Sequence, residues 1–186
     1  MTEKRAWFEW YDQGVPKSID YPQIALFEIL ERSADQYPDE ACTIFQGARI
    51  TYRKMSELTD QLAAGLQSLG DRVGIFMPNT PQFVMAYFGV LKMGGVVVAT
   101  NPMYTGREIK HQANDSGMKV MIVMSNFYHR VKEIQGETGV EKLIVTNIKE
   151  TLPPLKALLF TLFKERKAGF RVDLQGGDLW LQDVVE

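Results

Sequence analysis

At 186 residues, with 45% hydrophobic and 24% charged side chains, the chain has the size and composition of one globular domain, which excludes a disordered or fibrous protein. A formal net charge of −2 and a pI near 5.8 give nucleic acid no electrostatic foothold. The single cysteine, Cys42, excludes an intramolecular disulfide and thiolate metal clusters, and His111 and His129 lack ligand spacing, so a reduced cytoplasm fits best.

Residues 1–22 read as an N-terminal arm. Trp7, Phe8, Trp10 and Tyr11 are mixed with Glu3, Lys4, Arg5 and Glu9, which leaves no apolar signal segment. Its aromatics are expected to dock on the body of the chain or on a second copy, as in a homodimer. No apolar run approaches the roughly 20 residues that a membrane span needs.

Residues 23–150 read as an α/β subdomain. Leu26, Phe27, Leu30 and Ala34 recur at helical spacing over 23–36, and Pro38 ends that helix. Two β-rich runs, 41–46 and 49–52, flank Gly47-Ala48 as a hairpin. Met55, Leu58, Leu62, Leu66 and Leu69 then form one helical stripe, with Gly70 expected just past its end. Strands are expected at 72–77, 96–100, 119–124 and 142–146, and helices at 81–92, 105–116 and 126–135. Asn79 or Thr80 caps the first of these helices, and Thr105 with Glu108 forms a capping box on the second. The strand at 96–100 is expected to be buried on both faces. Apolar strands alternating with helices predict a doubly wound, mostly parallel sheet with flanking helices.

Ligands approach such sheets at the carboxyl ends of the strands. Those ends carry Pro78, Asn79 and Thr80, then Asn101, Pro102, Met103 and Tyr104, then Ser125 and Asn126. They read either as a ligand-lining rim or as ordinary helix caps. The first strand-to-helix turn has no glycine and no P-loop occurs, so neither a nicotinamide nor a flavin is expected. Glu108 and His111, one turn apart, read as a surface ion pair, and Cys42 as a small buried hydrophobe. No nucleophile–base constellation assembles, and neither a catalytic nor a metal-ligating residue is assigned.

Residues 151–186 depart from the average. Leu155, Leu158, Leu159 and Leu162 make a helical stripe with Phe163 beside it, and Lys156, Lys164 and Lys167 are expected on an adjoining face. Five cations, with Arg166 and Arg171, stand against one anion, Glu165. A basic amphipathic helix over 152–171 either lies at an anionic membrane surface or packs its leucines on its own domain.

The stretches "LFEILERSADQYPDEACTIFQGARITYRKMSELTDQLAAGLQSLG" and "DRVGIFMPNTPQFVMAYFGVLKMGGVVVATNPMYTGREIKHQANDSGMKVMIV" together resemble the N-terminal region of adenylate-forming enzymes, the AMP-forming acyl-CoA synthetases among them. "NPMYTGREIKHQANDSG" looks closest to fatty-acyl-CoA and coumarate-type ligases. "LPPLKALLFTLFKERKAGF…GGDLWLQDVV" is similar to an insertion in bacterial long-chain fatty-acid–CoA ligases. The resemblance implies a reaction of ATP, with Mg²⁺, and a fatty acid to an acyl-adenylate, which CoA then captures. It also implies that Asn101, Pro102, Tyr104 and Arg130 lie on a CoA-side rim. The family's phosphate loop ending in Pro-Lys-Gly, its Thr-Glu adenine motif, its ribose-binding Asp and the hinge to its catalytic Lys have no match in these residues. The expectation is therefore a ligase fragment that holds no cofactor and is inactive alone. Coumarate- or luciferase-type parents, and a non-catalytic docking or self-association module, are the alternatives. The join "QSLG-DRVG" is tighter than in relatives.

Overall fold

The computed structural model describes residues 5–185. Of the arm, Glu3 and Lys4 lie outside that range. Ala6–Trp10 forms a 3₁₀ turn whose rings pack on one another, Trp7 with Phe8 and Phe8 with Tyr11, while Trp7 and Trp10 stay 53% and 87% exposed.

Helix α1 spans Glu28–Gln36, shorter than the 23–36 expected. The Glu28 carboxylate accepts from the Ala25 N–H at 2.8 Å, and Ile24 N–H turns back onto the Pro22 carbonyl at 3.0 Å. Residues 22–27 are thus committed to turns, and Leu26 is 50% exposed instead of joining the stripe of Leu30. Strands β1 (Ala41–Phe45) and β2 (Ala48–Thr51) pair antiparallel. Their two-residue loop, Gln46-Gly47, has φ of +53° and +93°, the backbone that matches the twist of a tight hairpin.

Helix α2 (Tyr52–Leu66) starts at a Thr51 cap and buries Met55, Leu62 and Leu66 completely. It ends at Leu66, so Gly70 lies beyond the cap, where it turns the chain into the sheet at φ +128°. Strand β3 (Arg72–Phe76) is followed by α3 (Pro81–Lys92), β4 (Val96–Thr100), α4 (Gly106–Ser116), β5 (Val120–Met124), α5 (Tyr128–Gln135) and β6 (Lys142–Thr146). Helix α6 covers Pro154–Phe163, after which the chain returns to the sheet as a two-residue strand β7 (Leu179–Trp180) and a short helix α7 (Leu181–Val184). Nothing in the periodicity announces β7.

All four pairings in the main sheet are parallel, in the order β4-β3-β5-β6-β7. Each strand alternates its side chains between two cores. Val73, Ile75, Val120, Ile122 and Ile144 face α2 and α3, while Phe76, Met121, Val123, Leu143 and Val145 face α4 and α5. Burying each such side chain contributes about 1.5–3 kcal/mol, which makes these two layers the main source of stability. The winding on both faces is the expected one. Strand β4, however, is an edge strand and not one buried on both faces: Val96 is 49% exposed. An apolar composition does not distinguish an interior strand from an edge with one row of backbone groups unpaired.

Candidate functional site

Strand β4 lies on one side of β3 and β5 on the other, so the chain winds outward from β3 through α3 and then crosses back through α4 to β5. The carboxyl ends of β3 and β5 therefore flank the crevice where a doubly wound sheet takes its ligand. On one wall stand Pro78 and Asn79, both exposed, and Thr80, buried. On the other are Ser125 and Asn126, followed by Phe127, whose ring lies 4.9 Å from that of Phe76.

Two polar atoms at this point have no hydrogen-bond partner although both are buried: Ser125 Oγ and Asn126 Oδ1. Each such atom costs about 1–3 kcal/mol when left unmatched in the interior. Both lie at the topological switch, where water or a bound group can satisfy them. Thr80 also fails as a cap. It occupies the cap position of α3, yet its hydroxyl makes no cap bond and instead meets Met77 Sδ at 3.9 Å.

The loop after β4 forms the lip. Asn101 Oδ1 accepts from the Met103 N–H at 3.0 Å, and the Tyr104 N–H donates to the Asn101 carbonyl at 2.9 Å, with Pro102 half-buried between them. Arg130, on α5, donates from Nη1 to the Tyr104 carbonyl at 3.0 Å, and its guanidinium stands 5.5 Å from the Phe127 ring centroid. The structure thus brings Asn101, Pro102, Tyr104 and Arg130 together. A guanidinium carries five donors and one carbonyl engages one of them, so an exposed Arg130 retains donors for an anionic group.

The Glu108–His111 ion pair does not form. The Glu108 carboxylate accepts from the Thr105 N–H at 2.8 Å and from its hydroxyl at 2.7 Å, and these two bonds hold its pKa below the usual carboxylate range. His111 instead lines an open groove along α4 with Tyr104, Arg107 and Asp115. Cys42 is half-buried, and that burial raises its thiol pKa. Among the described residues, no group of three or more His, Cys, Asp or Glu side chains is placed to hold a metal ion.

Sequence reasoning missed a buried polar junction past β6. Asn147 donates from Nδ2 to Glu165 at 2.9 Å and to the Phe170 carbonyl at 3.1 Å, and its own carbonyl accepts from Gln82 at 3.1 Å. Lys149 pairs with Glu165 at 2.6 Å. Burial pushes the Glu150 carboxyl up, against bonds from Thr146 and the Asn147 N–H that pull it down. The available signal was the Thr146-Asn147 end of an apolar strand, in register with the other strand ends.

A family model for AMP-binding enzymes matches residues 30–170. The chain belongs to the AMP-binding enzyme family. Within that family it is 37% identical over 159 residues to a long-chain-fatty-acid–CoA ligase of Salmonella typhimurium, covering 82% of this chain and 28% of the relative. A ligase of the same name from Bacillus subtilis is 34% identical over 179 residues, covering 93% and 32% respectively. The chain therefore spans about three-tenths of these relatives' length. The crystal structure of a long-chain-fatty-acid-CoA ligase from Archaeoglobus fulgidus matches with a TM-score of 0.66 at 27% identity, over 76% of this chain and 32% of that one. A luciferase-like enzyme from Zophobas morio, at 16% identity, shares the fold with a TM-score of 0.67. The structural likeness covers the parallel sheet and its flanking helices.

Proposed function

We propose that this AMP-binding segment is the N-terminal part of a longer long-chain-fatty-acid–CoA ligase. In that reaction a fatty-acid carboxylate oxygen attacks the α-phosphorus of ATP, and the bond to pyrophosphate breaks. The CoA sulfur then attacks the acyl carbon of the adenylate and AMP leaves. The first step makes a poor electrophile into a good one; the second captures it with a good nucleophile. ATP and Mg²⁺ belong to other parts of the parent, and this segment contributes a wall and an entrance. Alone, it is inactive. The likeness to ligases of that name over 82–93% of the chain carries this reading. The free, half-buried Cys42 fits a cytoplasmic parent. The exposed rings of Trp7 and Trp10 offer a surface for a homodimer, read from the sedimentation coefficient of the parent.

Asn101, Pro102, Tyr104 and Arg130 form the lip past which CoA enters, with Arg130 meeting one of its phosphates. In the full-length parent, Arg130→Ala is expected to raise KM for CoA about tenfold while leaving KM for ATP unchanged, since a hydrogen bond to a charged group contributes about 1.5–3 kcal/mol. An unchanged KM for CoA removes Arg130 from the site. The substrate class is read from ATP–pyrophosphate exchange by the parent, with palmitate and with coumarate as the acid. Exchange with palmitate alone is expected; exchange with coumarate alone moves the parent to the aryl-acid branch.

A further inference from the structure

Helix α6 points its apolar stripe away from the protein. Its inner face is held by Phe160, whose ring meets Phe170 edge-on at 5.3 Å, and by Lys156, whose Nζ donates to the Gln46 carbonyl at 2.5 Å. Leu155, Leu158 and Leu162 point away from that face and are 68%, 56% and 65% exposed, while Leu159 and Phe163, 46% and 64% exposed, flank it along a groove shared with Lys156 and Phe160. Among the described residues nothing covers Leu155, Leu158 or Leu162. A continuous ridge of large apolar side chains marks an interaction surface, unlike the scattered apolar residues of an ordinary exterior.

The charge around the ridge says what it meets. The helix stops at Phe163, so Lys164, Arg166 and Lys167 lie in the turn after it, all exposed, and not along one helical face. The only acid between residues 155 and 171 is Glu165, which is 7% exposed and held inward by Lys149 and Asn147. The outer surface of this segment is therefore apolar and cationic, without an exposed carboxylate. A second copy docking there would bring the same cations against themselves. An anionic lipid surface matches both properties at once. No helix among the described residues is long and apolar enough to cross a membrane. The ten residues of α6 span about 15 Å, half of a hydrocarbon core of about 30 Å, so the helix would lie in the interface plane.

We infer that α6 and the turn 164–167 dock the protein on an anionic lipid surface. The leucines and Phe163 enter the boundary between headgroups and acyl chains, and Lys164, Arg166 and Lys167 meet the lipid phosphates. This placement is independent of which acid the parent activates.

The test is cosedimentation of the full-length parent with vesicles of equimolar phosphatidylglycerol and phosphatidylcholine, against phosphatidylcholine alone. Binding is expected only with the anionic lipid and is expected to fall as salt rises. Lys164→Gln/Arg166→Gln/Lys167→Gln should weaken it about 100-fold, from roughly fivefold per cation. Leu158→Asp/Leu162→Asp should abolish it with the circular dichroism spectrum unchanged, because both side chains are exposed. Phe163→Trp should gain a fluorescence signal quenched by brominated lipid. Three results overturn the inference: no binding by the parent, equal binding to both vesicle types, or Leu158→Asp/Leu162→Asp dissolving a lipid-independent oligomer while vesicle binding persists.

Discussion

Asp178→Ala is expected to lower the unfolding free energy by about 3–5 kcal/mol, the range for breaking a buried ion pair by removing one partner. The Asp178 side chain is 1% exposed and meets Lys132 Nζ at 2.7 Å. It also accepts from the Tyr128 hydroxyl at 2.9 Å and from the Leu143 N–H at 3.1 Å. Tyr128 Oη in turn accepts from the Gln175 N–H at 2.8 Å, so one carboxylate ties α5, β6 and the segment leading into β7. Burial of the Tyr128 hydroxyl raises its pKa; the Gln175 N–H pulls it down and Asp178 raises it further. Tyr128→Phe should cost about 1 kcal/mol, the net value of one hydrogen bond, plus whatever the freed Gln175 N–H loses. Urea titration of the two variants separates these cases. A change below 1 kcal/mol for Asp178→Ala contradicts the assigned junction.

Gly65→Ala is the second large effect. A Cβ on Gly65 would stand 2.2 Å from the Val184 carbonyl oxygen and 2.7 Å from Val184 Cγ1. The first of these is backbone, so α7 must move and Leu181, 2% exposed, must leave its place under α2. Overpacking of this kind costs about 1–3 kcal/mol, and here it is directed at one element. The expected result is a lower urea midpoint with hydrogen exchange accelerated first over residues 179–185. Gly136→Ala is the control: nothing lies within 4 Å of its Cβ and its φ is −63°, so that change should be neutral or stabilising by a few tenths of a kcal/mol to about 1 kcal/mol. Equal stability of the two variants would mean that α7 is not seated on α2.

Both effects concern the part of the fold that was least legible in the sequence. The strands at 72–76, 120–124 and 142–146 announce themselves because each is an apolar run between a helix end and a turn. Local chemistry also placed α3 and α4, through Pro81, Thr105 and Gly117. Strand β7 is two residues long and carries no periodicity, and it exists because Asp178 and the β6 edge hold it. Periodicity likewise shows that α6 has a stripe but not which way the stripe faces; that depends on Phe170, just past the helix, and on Gln46, distant in sequence. At the site, the strand-end positions were legible because a parallel sheet puts them on one rim. The Arg130–Tyr104 bond and the unmatched atoms of Ser125 and Asn126 were not, since hydrogen-bond partners are set by tertiary neighbours.

Under the proposed function, this segment shapes the approach and the rest of a longer ligase holds the triphosphate. ATP–pyrophosphate exchange with palmitate, run on residues 1–186 and on the full-length parent side by side, tests that division. Exchange by the parent and none by the shorter chain is the expected result. Exchange catalysed by the 186 residues alone, or a parent that exchanges with no carboxylic acid, contradicts it.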